Sequence, residues 1–271
     1  MRKYIGMGMA CVSLFFSVLV SAAAPQAELR LEAPGRTHSL TLKELRAKLP
    51  LASLTVDDPV YKKQKKTYEG FWLKDVLKLG GVGQAGGDEL VFKCLDGYSP
   101  TVPWERLSEG QALLAFREKG RKGGWESFVQ GKSRMTPAPF YLVWNSSEKQ
   151  FPWPYQLVGI EVVQFKQKYS RIFPEGQVGD SAVFRGFNVF RNQCMRCHSI
   201  NLQGGELGPE LNVPRSITEY WDETFLREFI RNPGNFRLRS KMPPFPDLSD
   251  TDLDHLLSYL RWMKDRKNSG T

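Results

Sequence analysis

Histidine is scarce in this chain, with three residues in 271, and cysteine is limited to four. So few imidazoles leave little for a histidine-rich metal site or a Ser/His/Asp hydrolytic centre. Beyond the N-terminal stretch no run of about 18 apolar residues occurs, which excludes a membrane-spanning helix of ordinary length there. There is no Gly/Pro-rich tract and no internal repeat, so collagen, solenoid, propeller and whole-chain disorder are excluded as well. What remains, 41% hydrophobic and 25% charged residues, is the balance of a globular protein with enough apolar material for two modest cores. The formal charge of +9 predicts a surface that attracts anions or acidic partners.

The chain opens with Arg2 and Lys3, continues through an apolar stretch from about Met7 to Val20, and reaches Ser21, Ala22, Ala23 and Ala24 before Pro25. This pattern predicts a secretory signal peptide over residues 1–24, cleaved after Ala22 or Ala24, and hence a periplasmic or secreted protein that meets the membrane only through that leader. Cys11 leaves with it. Cys94, Cys194 and Cys197 remain, an odd number for an oxidising compartment, so at least one serves something other than an internal disulfide.

Residues 25–170 predict an α+β region. Short strands are expected at Leu29–Leu31 and Ser39–Leu42, a helical turn after Thr41, and buried strands at Glu89–Cys94, Tyr141–Trp144 and Leu157–Phe165. Phe71, Trp72, Val76 and Leu77 have helical spacing ahead of Gly80 and Gly81, which predicts a helix over Glu69–Leu79. Pro174, Gly176 and Gly179 punctuate a stretch without apolar periodicity, and residues 171–178 are expected to be a linker. Residues 179–271 then predict an all-α region with helices at Ser181–Gln193, Glu223–Arg231 and Asp250–Lys264, the last capped by Ser249.

The most specific string is Cys194-Met195-Arg196-Cys197-His198, the C-x-x-C-H attachment sequence for haem c. Two thiols on one helical turn can each bond a vinyl group of the porphyrin, with the adjacent imidazole beneath the iron. A redox dithiol or half of a zinc site are the competing uses of such a pair. For zinc, only His38 and His255 would be left to complete the set.

Around this string, Gly186, Phe190, Gly208-Pro209 and Leu257-Ser258-Tyr259-Leu260 resemble the class I cytochromes c, over about Gly179 to Lys264. The resemblance implies one covalent haem c with His198 as proximal ligand and the Pro209 carbonyl orienting its ring. It also implies Tyr259 packed near Gly186, and Met242, in Lys241-Met242-Pro243-Pro244, as the sixth ligand. With both axial positions filled, the implied role is one-electron transfer with a redox partner, an acidic cytochrome or dehydrogenase. His255, within the last predicted helix, reads as a surface or core histidine.

In the first region, Phe92 to Trp104, with Cys94 followed by Asp96-Gly97-Tyr98-Ser99, and the preceding Tyr68 to Leu77, resemble the molybdopterin-binding domain of sulfite-oxidase-type oxidoreductases. That resemblance implies a mixed sheet with helices and a molybdenum-ligating thiolate at Cys94, with Arg121, Lys122, Lys132 and Arg134 as anchors for a pterin phosphate. On the residues alone, Cys94 serves equally as a buried strand cysteine or in another redox or docking role. Two functions follow. One is a monohaem electron-transfer protein whose first domain docks a partner; the other is a molybdopterin-dependent oxidoreductase with haem as its electron exit. The basic runs Lys62, Lys63, Lys65, Lys66 and Arg117, Lys119, Arg121, Lys122 are either solvated faces or docking charge for an acidic redox partner, and nothing points to nucleic acid.

Overall fold

The computed structural model describes residues 27–145 and 151–270. The predicted signal peptide, Cys11 included, lies outside these residues.

The first region is built on strands β1 (Glu28–Ala33), β2 (Arg36–Thr41), β3 (Ala52–Asp58), β4 (Gln64–Trp72), β5 (Glu89–Cys94), β6 (Thr101–Pro103), β7 (Gln111–Glu118), β8 (Phe128–Gln130), β9 (Ser133–Met135), β10 (Phe140–Asn145) and β11 (Tyr155–Val163). Among the described residues, nine of these make one mixed sheet in the order β2-β1-β11-β10-β7-β4-β3, with β5 on β11 and β6 on β5. β1 and β11 run parallel, while the other pairs are antiparallel. β8 and β9 form a separate hairpin.

Helix α1 (Leu42–Lys48) opens where Thr41 caps Glu44 and Glu44 caps Thr41 in return. Helix α2 (Leu73–Leu79) is shorter than its sequence pattern predicts, because Glu69 to Trp72 complete β4. In that strand, tertiary pairing with β3 and β7 overrides the helical spacing of Phe71 and Trp72. Gly80 and Gly81 end α2 as expected, Gly81 with φ +67°.

Both faces of the sheet are covered. Leu29, Leu31, Phe92, Leu114, Phe140, Leu142 and Trp144 pack with α1 and α2 on one side. Leu54, Val56, Tyr68, Leu113, Tyr141 and Val143 pack on the other. Burial on two faces explains why β7 and β10 read as near-continuous apolar runs rather than alternating ones.

The second region contains α3 (Phe165–Lys168), α4 (Ala182–Val189), α5 (Glu223–Arg231) and α6 (Asp250–Lys264). Ser181, Asp222 and Ser249 cap the last three through their side chains. α4 continues through one wide π turn, Phe190–Cys194, into the C-x-x-C-H string. α4 crosses α6 at Gly186, where any Cβ would collide with the His255 carbonyl and the Tyr259 side chain. Tyr259 is fully buried, touches Phe187 and Phe190, and donates its hydroxyl to the Ile172 carbonyl at 2.7 Å.

That last bond locates the predicted linker. Ile172 is wholly buried in the helical core, and Phe173 packs beside it. The same core takes in Val91 and Val163 from the sheet, so apolar burial reaches Ile172 and Phe173, while Glu175, Gly176 and Val178 are exposed. Among the described residues, no helix is long and apolar enough to cross a membrane.

Candidate functional site

The π turn delivers Cys194, Cys197 and His198 together: the amides of Cys197 and His198 both donate to the Cys194 carbonyl, at 3.0 and 2.9 Å. All three side chains are half-buried, and neither cysteine is in a disulfide. Burial pushes the thiols up, Cys194 to about 12 and Cys197 to about 11, against the opposing charge of Arg196. Both are therefore neutral thiols at neutral pH.

His198 is oriented from one side only. Its Nδ1 lies 2.8 Å from the Pro209 carbonyl, so Nδ1 carries the proton and Nε2 is the basic nitrogen. Burial lowers the imidazole's affinity for a proton, opposed by that hydrogen bond and by the charge of Glu210. Gly208 is required here because a Cβ would sit 2.5–2.9 Å from the ring atoms of His198.

Glu210, which sequence reasoning passed over, holds the loop. Its carboxylate accepts from the backbone amides of Asn201, Leu202, Asn212 and Val213 at 2.8–3.1 Å. The buried Asn201 and Asn212 side chains tie the same loop to Arg171, Met263 and Arg266 carbonyls. A carboxylate directly after a Gly-Pro pair, among asparagines, was the available signal.

Met242 is half-buried and packs on the helical core, with its amide donating to Ser240 Oγ at 3.1 Å. Exposed Phe236 and Leu238 precede it. His255 lies on α6 and offers its backbone carbonyl to the Gly186 crossing.

Cys94 ends β5 and is 8% exposed. The turn after it, in which Gly97 takes φ +85°, is sealed by the second region. Ser99 donates its amide to the Arg196 carbonyl at 2.8 Å, and Glu206 donates to Gly97 O at 2.9 Å. A Cβ on Gly97 would meet Glu206 and Leu207 within 2.9–3.1 Å. Burial, with Asp96 adding to it, pushes the Cys94 thiol up, away from a thiolate.

Two of the four nominated phosphate anchors are committed elsewhere, while Lys122 and Lys132 are exposed. Arg121 pairs with Glu118 and Glu126, and Arg134 bonds Ser127 Oγ. Among the described residues, no group of three or more His, Cys, Asp or Glu side chains is arranged to hold a metal ion. The residues around Cys94 do not fit a pyranopterin with its metal, and no chemistry is derived through one.

The basic runs also change meaning in three dimensions. Lys66 is 6% exposed and pairs with Glu118 and Glu126, and Arg117 pairs with Glu69. Lys62, Lys63 and Lys65 are exposed at the β3–β4 turn and the start of β4, and Arg117, Lys119, Arg121 and Lys122 are exposed as well.

The first region meets the second at each of the segments that frame these groups. Ser99 reaches Arg196 inside the C-x-x-C-H string, Gly97 reaches Glu206 just ahead of Gly208, and the β8–β9 turn reaches the Met242 loop. At Gly131 a Cβ would lie 3.1 Å from Lys241 Cγ and 3.2 Å from the Arg239 carbonyl.

Residues 181–260 match the family described as cytochrome c oxidase, cbb3-type, subunit III. These residues are similar to a cytochrome c-type domain. A cytochrome c oxidase subunit 2 from Alkalihalophilus pseudofirmus is 34% identical over 87 residues, 30% of this chain and 25% of that protein. The match spans about a quarter of that relative's length, and the first region has no part in the family match. The likeness to cytochrome c domains implies haem c. The donor set present, two thiols on one turn and an imidazole turned by a carbonyl, fits that group.

Proposed function

We infer that the protein is a periplasmic or secreted monohaem c-type cytochrome that passes single electrons to and from a redox partner. The observation that carries this reading is the Cys194–His198 turn, with its imidazole oriented by Pro209 O at 2.8 Å. Haem c supplies an iron that changes oxidation state by one electron. Cys194 and Cys197 tether it through thioethers, His198 supplies Nε2 and Met242 the thioether sulfur. Pro209 and Glu210 keep the imidazole from turning, which limits reorganisation when the charge changes. His198 and Met242 would both be engaged in holding the haem, which would then serve electron transfer rather than substrate chemistry.

The first region serves as a docking and shielding platform against the haem-framing segments. Its exposed Lys62, Lys63 and Lys65 suit an acidic redox protein, with an association that slows as salt is added.

Expression in a host with a haem-attachment system tests the reading. One haem per chain that survives denaturation, and its loss in Cys194→Ala/Cys197→Ala, is the expected outcome. A chain that emerges from such a host without bound haem would overturn it.

A further inference from the structure

A polar cavity of about 710 Å³ lies where the two regions meet, lined by Thr101 and Arg106 from the first and Arg191, Asn192 and Arg196 from the second. Glu89, on β5, also lines it and is 2% exposed. One carboxyl oxygen, Oε2, accepts from Arg191 Nη2 at 2.7 Å. The other, Oε1, is buried with no well-formed hydrogen bond, although the Thr101 side chain stabilises the carboxylate. A buried carboxyl oxygen without such a bond is costly unless it carries a proton or exchanges one.

Arg191 gives the pair its meaning. It sits in the π turn that leads to Cys194, with its guanidinium 3.8 Å over the Phe165 ring. While Glu89 is ionised, the carboxylate cancels the Arg191 charge. Once Glu89 is protonated, that positive charge stands uncompensated beside the turn and favours an added electron there.

We propose that Glu89 takes up a proton when the haem held by the Cys194–His198 turn is reduced, and releases it on oxidation. The electron comes from the one-electron redox partner and the proton from solvent through the cavity, so each reduction stores one electron on the iron and one proton on Glu89. The inference rests on the haem reading above.

The surroundings agree with this. Burial raises the affinity of Glu89 for a proton, while Arg191 and the Thr101 side chain oppose it and the neighbouring Asp88 adds to it. Asp88 is itself held, accepting the Phe165 amide at 2.7 Å. Tyr169, at the end of α3, faces the carboxyl as a neutral phenol that burial and the charges of Glu161 and Glu89 push up. Arg106 is paired with Glu109 at the cavity's outer side, and Arg196 bonds the Asn192 carbonyl. The cavity thus reaches a carboxyl whose partner, Arg191, belongs to the turn that leads to Cys194.

The test is a spectroelectrochemical titration of the full haem-loaded chain over roughly pH 5 to 9, above the ordinary glutamate range. The midpoint potential is expected to fall as pH rises, approaching one proton per electron, about 59 mV per tenfold change in proton activity. Glu89→Gln should flatten it and Glu89→Asp should keep it. A flat wild-type profile overturns the proposal, and so does a slope that survives Glu89→Gln. Should Glu89→Gln fail to fold, the ferrous-minus-ferric infrared spectrum of the wild type decides. A protonated-carboxyl band appearing on reduction supports the proposal, and its absence overturns it. Failure to bind haem at all is seen separately in the visible spectrum and removes the underlying reading with it.

Discussion

The Asp58 and Lys66 clusters of the first region and the C-x-x-C-H turn of the second treat their polar groups in opposite ways. In the sheet, Asp58 is fully buried and fully engaged: Tyr68 and Tyr141 donate their hydroxyls to it at 2.6 and 3.1 Å, and the Val60 amide at 2.7 Å. Lys66 is likewise enclosed by Glu118 and Glu126. In the helical region, two thiols and one imidazole nitrogen are held in place by backbone bonds, yet their reactive atoms are given no protein partner among the described residues. A scaffold closes its polar network, whereas a site for a prosthetic group orients its donors and leaves them free.

The largest effect is expected at Met242. Met242→Ala should abolish the weak thioether-to-iron band of the ferric protein and lower the midpoint potential by on the order of a hundred millivolts, within the roughly 0.8 V that axial ligands span. Survival of the band and the potential would break the contrast, because Met242 would then be core filler like Met263.

Next comes the crossing on which the turn is mounted. Gly186→Val would force α4 from α6 against a backbone carbonyl that cannot yield, at a cost of about 3 kcal/mol, read as a lower Tm with loss of haem retention. A stable, haem-loaded variant would show that the crossing does not set the turn.

The sheet side gives a smaller, pH-dependent effect. Burial raises the Asp58 carboxyl above its ordinary value, against the hydrogen bonds from Tyr68, Val60, Tyr141 and Tyr61. A group whose folded pKa is raised contributes stability that is full below the unfolded pKa, about 3.9, and is lost as pH rises through the folded value. Denaturation midpoints should therefore carry a falling component across that window, which Asp58→Asn removes. Tyr68→Phe should cost about 2 kcal/mol, since it takes one donor from a buried carboxyl. Neither change should move the haem spectrum.

The C-x-x-C-H string was legible because chemistry demands those residue types at that spacing, and Ser181 and Ser249 marked their helices because a cap is a local event. In the sheet, β1, β2, β5, β10 and β11 were legible as strands, whereas β3, β4, β6 and β7 were not. β3, β4 and β7 are fixed by pairing between distant segments, and Glu69 to Trp72, helical by spacing, becomes strand because β7 lies alongside. The contacts of Gly97 and Gly131 with the second region and the Glu89–Arg191 pair could not be read at all, since they join residues far apart in sequence. The string around Cys94 misled in an instructive way. Local resemblance pointed to an open thiolate, whereas the turn that follows it is where the cytochrome c domain docks.

Cys94→Ala, the smallest expected effect, sharpens that last point. The thiol lies under a turn whose outward groups are already bonded to Arg196 and Glu206, so removing one sulfur takes a little apolar contact from the sheet core and nothing from the haem-framing segments. The expected outcome is a loss of about 1 kcal/mol in stability with haem content, visible spectrum and midpoint potential unchanged. If the potential or partner reduction moves while the fold holds, Cys94 acts through the interface on the Cys197 side. The sheet region would then be part of the redox site rather than its support.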